Sequence, residues 1–265
     1  MQIKYFASVS YTEVTAAVEM VKPLGMHLEI EVMDPRWILE VCELPVVGKL
    51  GGTLNNNGIR VNVQGPFLDL APGSLDTFIR DHTRKLFLRT LDIAEHLGAR
   101  YVTFYSGYNP LLHSAVVEQW LEVCLPLWRE VAEAAEKCGT IVLISNLFEQ
   151  GPEIQLRIIE ACKGLPLGAC LDLAHAFIYS NKKITAWVRA LEEHLKLAHL
   201  NDTKGRDDEH LAVGRGNIPF KDFYNACLKR EVKSDMVFKM PLDQALQSLR
   251  TVHSLGLGQY QMKLL

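Results

Sequence analysis

Residues 167–180, LGACLDLAHAFIYS, decide the reading of the fold. The run 167–171 is short and apolar, as a strand covered on both faces should be. Asp172 and His175 follow at once, so ionisable groups stand where that strand ends and the next helical pattern begins. Seven more short apolar runs recur along the chain, at 3–9, 27–32, 59–63, 101–105, 140–144, 195–200 and 236–240.

Amphipathic stretches lie between these runs. Residues 75–97 place Phe78, Ile79, Leu86, Leu88, Leu91 and Ile93 among charged residues, and 116–137 repeat apolar residues at spacings of three and four. Residues 243–254 show a similar face. Gly25, Gly98 and Gly139 each follow a helical pattern and precede a strand, where helices commonly stop. Eight strands each followed by a helix-sized segment predict one (β/α)8 barrel over residues 1–265. A doubly wound open sheet is the alternative, but no G-x-G-x-x-G turn follows an early strand. Residues 48–58, with Asn55-Asn56-Asn57, read as one long polar loop before the third strand.

Composition agrees with a globular enzyme-sized chain. The 265 residues are 48% hydrophobic and 22% charged, with 28 Lys plus Arg against 31 Asp plus Glu. The formal charge of -3 and pI near 6.3 argue against a general nucleic-acid binder. The six cysteines include no Cys-x-x-Cys pair and read as buried thiols. No run approaches the roughly 18 apolar residues of a membrane helix, and residues 1–14 lack a signal-peptide pattern. The expectation is a soluble cytoplasmic protein with neither a membrane nor a nucleic-acid partner.

The carboxyl ends of the predicted strands carry Glu29 and Glu31, Gln64, Ser106, Ser145 with Asn146 and Glu149, Asp172 with His175, His199 with Asp202, and Lys239. Asp208 and His210 follow in the next loop. Polar groups at consecutive ends predict a converging site, because barrel enzymes build their sites there. Glu29 reads as facing the lumen in an ion pair.

The segments GPFLDLAPGS (65–74), LDIAEHLGARYV (91–102), NLFEQGPE (146–153), CLDLAHAFIYS (170–180) and HLNDTKGRDDEHLAVGRG (199–216) resemble the xylose-isomerase-like TIM barrels. That superfamily includes sugar isomerases and epimerases, inosose dehydratases and endonuclease IV. The resemblance implies a metal site that has been partly dismantled. Gln64 and Ser106 stand where the family usually has His, and Ser145 and Lys239 where it usually has Glu. Asp172, His175, His199, Asp208 and His210 match. Of three family ion positions, one complete set survives, His175, Asp208 and His210, which implies at most one divalent ion, zinc or manganese. No nucleotide cofactor is implied.

The resemblance implies an isomerase or epimerase acting on a small polyol, keto-sugar or sugar phosphate. Lys239, Asp172 and His199 are then the candidate catalytic groups, and Gln64, Ser106, Asn146, Glu149 and Asp202 the candidate substrate contacts. A non-catalytic descendant binding a carbohydrate-like ligand is the alternative, and an endonuclease IV-type enzyme a third. Lys239 is expected to pair with Asp172 in place of a lost ion, because a buried carboxylate without its cation recruits a counter-charge.

Overall fold

A computed structural model describes residues 3–254. In chain order the elements are β1 Tyr5–Ser10, α1 Val14–Val21, β2 His27–Glu31, α2 Leu44–Asn56, β3 Val61–Gln64, α3 Thr77–Leu97, β4 Tyr101–Tyr105, α4 Pro110–His113 and α5 Val117–Lys137. They continue with β5 Ile141–Ser145, α6 Glu153–Ala161, β6 Leu167–Asp172, α7 Leu173–Tyr179, α8 Ile184–Leu191, β7 Leu195–Leu200, α9 Phe220–Lys229, β8 Asp235–Phe238 and α10 Leu242–Ser254. All eight strands are parallel and close into a barrel, with β1 hydrogen-bonded to both β2 and β8.

The alternation of side chains along each strand sorts the sequence into two cores. Outward residues such as Leu28, Ile30, Val63, Phe104, Ile144, Leu171 and Phe238 pack under the helices in the main cluster. Inward residues Phe6, Tyr101, Leu143, Cys170, Leu197 and Val237 fill the lumen as a separate small cluster. Nearer the carboxyl ends the inward positions turn polar: Glu29 and Glu31 on β2, Gln64 on β3, Ser145 on β5, Asp172 on β6 and His199 on β7. The register sets Glu31 beside Gln64 and Asp172 beside His199.

The predicted loop at 48–58 is corrected, because all of it up to Asn56 forms the end of α2. Gly48, Gly51, Gly52 and three asparagines disfavour a helix in isolation. The fold overrides that preference through packing. A Cβ on Gly51 would lie 2.4 Å from the His96 carbonyl oxygen and 2.9 Å from Leu97 Cα, so glycine lets α2 approach α3 closely.

Five cysteines are buried, Cys138 is half-buried, and all six are free thiols. Among the described residues no helix is long and apolar enough to cross a membrane.

Candidate active site

A cavity of about 890 Å3 opens at the carboxyl ends of the strands. Its polar lining includes Ser8, Glu31, His175, Asp208, His210 and Lys239. Two hydrogen-bonded systems supply these groups.

The first runs through the lumen. Lys239 lies just past β8 with its side chain 7% exposed. Its Nζ donates to Glu31 Oε1 at 2.6 Å, to Ser8 Oγ at 3.0 Å and to Glu29 Oε1 at 3.4 Å. Ser8 Oγ in turn donates to Glu31 Oε1 at 2.8 Å. Behind them, His199 Nε2 is 3.2 Å from Glu29 Oε2, and His199 Nδ1 is 3.7 Å from Asp172 Oδ2. The order Asp172, His199, Glu29, Lys239, Glu31 alternates in sign across the barrel.

That alternation offsets the desolvation of buried charge. Burial alone would raise Glu29 and Glu31, yet the His199 and Lys239 charges hold Glu29, and Lys239 holds Glu31, below the ordinary value. Burial would lower Lys239, but Glu29 and Glu31 outweigh it and raise its pKa. Burial would likewise lower His199, but Cys170, Glu29 and Asp172 carry it well above the usual imidazole range. Lys239 is therefore a fixed ammonium.

The second system is built by the start of α7 and the loop after β7. Asp172 ends β6 and caps α7, its Oδ1 accepting from the His175 backbone N–H at 3.0 Å. Its own N–H donates to Asn146 Oδ1 at 2.8 Å, and Asn146 Nδ2 returns a bond to the Asp172 carbonyl at 3.0 Å. This cap aims His175. Its Nδ1 meets the Asn146 carbonyl at 3.0 Å and its Nε2 meets Asp208 Oδ2 at 3.1 Å. His210 repeats the pattern, with Nδ1 on the Lys239 carbonyl at 2.6 Å and Nε2 on the same Asp208 oxygen at 3.0 Å. Asn201 Nδ2 donates to the other carboxylate oxygen at 3.0 Å. Burial would lower His175, but Asp172 and Asp208 raise it to about 9. The hydrogen bond to Asp208 raises His210 too. Asp208 is held well below the carboxylate range by both imidazoles despite partial burial.

Among the described residues no group of three or more His, Cys, Asp or Glu side chains is already disposed around an ion position. In donor chemistry, His175, Asp208 and His210 nonetheless suit a divalent ion. Both Nδ1 atoms are committed to backbone carbonyls, the outer bond that orients metal-ligating imidazoles and leaves Nε2 for the ion. Two imidazoles and a carboxylate are a zinc-type set. The other two family positions do not fit, because Gln64, Ser106, Ser145 and Lys239 supply no carboxylate or imidazole there.

The sequence-predicted residues divide accordingly. Lys239, His175, Asp208 and His210 line the cavity. Asp172 and His199 are 1% and 0% exposed and act behind it. The five expected substrate contacts are not brought to the cavity either. Gln64 Nε2 donates to the Gly65 and Thr103 carbonyls. Ser106 donates to the buried Glu149, which also accepts from Leu147 N–H at 2.6 Å, and burial raises the Glu149 carboxyl despite those bonds. Asn146 holds Asp172, as above. Asp202 braces the loop: Oδ1 accepts from Thr203 and Ile218, and Oδ2 from Gly214 and Gly216, at 2.8–3.1 Å. A Cβ on Gly216 would stand 2.3 Å from the Thr203 carbonyl, so that brace needs glycine there. The expected Lys239–Asp172 pair is replaced by Lys239 with Glu31 and Glu29. Sequence reasoning missed Ser8, Tyr105 and Tyr179 and gave Glu31 no role; the inward parity of β1, β2 and β4 was the available signal for all but Tyr179, which ends α7.

Comparison with known proteins fits this geometry. The xylose isomerase-like TIM barrel matches residues 14–250. A probable endonuclease 4 of Aquifex aeolicus is 29% identical over 199 residues, covering 67% of this chain and 68% of that protein. Protein MJ1311 of Methanocaldococcus jannaschii is 29% identical over 171 residues, and this chain spans 58% of its length. The structure of the TTHB071 protein from Thermus thermophilus, soaked with ZnCl2, shares 28% identity at a TM-score of 0.78, covering 96% of this chain and 98% of that one. A D-tagatose 3-epimerase-like protein shares the fold at a TM-score of 0.79 and 22% identity, over 98% of this chain and 100% of that one. The match over residues 14–250 and the closed eight-stranded barrel place this chain in the xylose isomerase-like TIM barrel family.

Proposed function

We infer that the barrel mouth binds a small hydroxylated carbonyl compound of the keto-sugar class and moves a proton next to its carbonyl carbon, as an isomerase or epimerase does. The observation that carries this reading is the pairing of a fixed ammonium, Lys239, with an ionised carboxylate, Glu31, on the cavity floor. Removing a proton beside a carbonyl needs a base at carbon and positive charge near the oxygen. Glu31, 33% exposed, is open enough to take the proton, while Ser8 and Lys239 both fix its Oε1. Lys239 supplies charge and is neither a base nor a Schiff-base nucleophile, since its neighbours keep it protonated. His199 and Asp172 hold Glu29 and His175 in place from behind.

His175, Asp208 and His210 would hold one divalent ion, zinc or manganese, which would polarise a substrate hydroxyl or carbonyl oxygen when bound. The epimerase-like and zinc-soaked neighbours support the ligand class and the ion. The phosphodiester chemistry implied by the Aquifex relative's name has weaker support here. Among the described residues lining the cavity there is no arginine, and Lys239 is matched by two carboxylates.

A binding protein without catalysis is the second reading. It is favoured by the full burial of Asp172 and His199. Incubating the protein in D2O with ketoses, aldoses and their phosphates, with and without added Zn2+ or Mn2+, separates the two. Deuterium incorporation beside the carbonyl, lost in Glu31→Gln, supports the enzyme. A ligand-induced rise in melting temperature without exchange supports the binder.

A further inference from the structure

The cavity has more apolar wall than a bare sugar can use. On one side α1 turns its core face inward through Val14, Ala17, Val18 and Val21. Ala16, Ala17 and Met20 line the cavity from the same helix, and Met33 lines it from beyond β2. Met20 is 43% exposed, an apolar side chain where an amphipathic helix usually carries a polar one. On the other side five rings form a continuous arc. Phe67 meets Tyr105 at 4.9 Å, Tyr105 meets His175 at 5.7 Å, His175 meets Tyr179 at 6.1 Å, and Tyr179 meets Phe148 at 5.1 Å between centroids. Phe148 and Tyr179 are 36% and 37% exposed. The polar cluster of Glu31, Lys239, Asp208 and His210 shares the cavity with these walls, and Ser10 and Glu13 add a polar edge at the start of α1.

Such a division fits an amphipathic ligand. A hydroxylated ring satisfies Glu31, Lys239, Asp208 and His210, yet leaves Met20, Met33 and Phe148 in water. The volume of about 890 Å3 lies near the upper end of sites that take drug-sized molecules. Methionine side chains are flexible and polarisable and adapt to aryl and alkyl groups.

We propose that the site takes a carbohydrate-type head group joined to an aryl or short alkyl substituent, with the head on the Glu31–Lys239 floor and the substituent against Ala16, Met20 and Met33. This rests on the reading of the floor as a carbohydrate-type site and adds the class of substituent.

Isothermal titration with paired methyl and phenyl β-D-glucopyranosides, galactopyranosides and mannopyranosides tests it, with phenol and free ketoses as controls. At least one phenyl glycoside is expected to bind about tenfold or more tighter than its methyl partner, the gain from burying one ring's apolar surface. Met20→Glu, at an exposed position, should abolish that gain and leave the methyl glycoside unchanged. Ala16→Glu should do the same, which guards against a local effect of one variant. Methyl glycosides or ketoses that bind with no phenyl advantage would overturn the substituent pocket while sparing the proposed function. Phenol binding as tightly as the phenyl glycosides, or a phenyl advantage that survives both variants, would also overturn it. Failure of every sugar and glycoside to bind would overturn both.

Discussion

The ammonium of Lys239 stands 2.6 Å from Glu31 Oε1, two strands away around the barrel wall. The reach is set by topology. From β8 a lysine can cross β1 to β2 or cross β7 to β6. On β6, Asp172 already accepts from His175 N–H and faces His199, whereas β2 presents two carboxylates, Glu29 and Glu31. The greater negative charge takes the lysine.

Lys239→Met should therefore cost about 3–5 kcal/mol, the usual effect of breaking a buried ion pair on one side. Glu29→Gln in the same chain should recover part of that loss. Denaturant unfolding of the single and double variants should give a coupling above about 1 kcal/mol for Lys239 with Glu29. The corresponding cycle with Asp172→Asn should give the smaller coupling. The reverse ranking would mean that the lysine serves Asp172 after all.

The acid limb of stability follows from the same groups. Glu29 and Glu31 titrate below their ordinary value in the folded chain. Their stabilisation is present above the unfolded carboxyl pKa, about 4.3, and is lost as pH falls through the folded values. In Lys239→Met the depressing charge is gone and burial acts in the opposite direction. The stability gap between wild type and variant should then narrow steadily from pH 7 to pH 3 in urea titrations. A gap independent of pH would show that the pair contributes packing alone.

Zinc loading followed by gel filtration and elemental analysis should give no more than one ion per chain. Asp208→Asn and His210→Ala should each lower occupancy by at least about tenfold, since even outer partners of metal ligands carry 10–100-fold. Two ions per chain, or occupancy unaffected by both variants, would refute the assignment.

Asp202→Ala removes an acceptor from four backbone N–H groups, those of Thr203 and Ile218 buried, and should cost about 3–5 kcal/mol. Hydrogen exchange at Gly214 and Gly216 should lose its protection in the variant. Unchanged exchange would mean that the loop is held by other contacts.

The barrel was legible because its evidence is periodic. Eight short apolar runs coincide with the eight strands to within two residues at each end. The helix ending at Asn56 was not legible, because the approach of α2 to α3 that favours Gly51 is a property of two elements. The gathering of His175, Asp208 and His210 could be read from spacing and resemblance together. The burial of Gln64, Ser106, Asn146, Glu149 and Asp202 could not. Their residue types are the same whether they face a ligand or a neighbouring strand, and that choice is made by strand parity and by which backbone groups need partners. Glu31 went without a role for the complementary reason: nothing local distinguishes it from Glu29, yet one lines the cavity and the other is sealed beneath it.

The loop after β7 is tied at three separate places: Asp202 to the turn at Gly214–Gly216, Leu211 to Asp202 through paired backbone bonds of 2.8 and 2.9 Å, and His210 to the Lys239 carbonyl. Asp208 and His210 thus hold their positions before any ligand arrives. Their ordering entropy is settled during folding, so association should be a single concentration-dependent phase, without the slower isomerisation that a closing lid imposes.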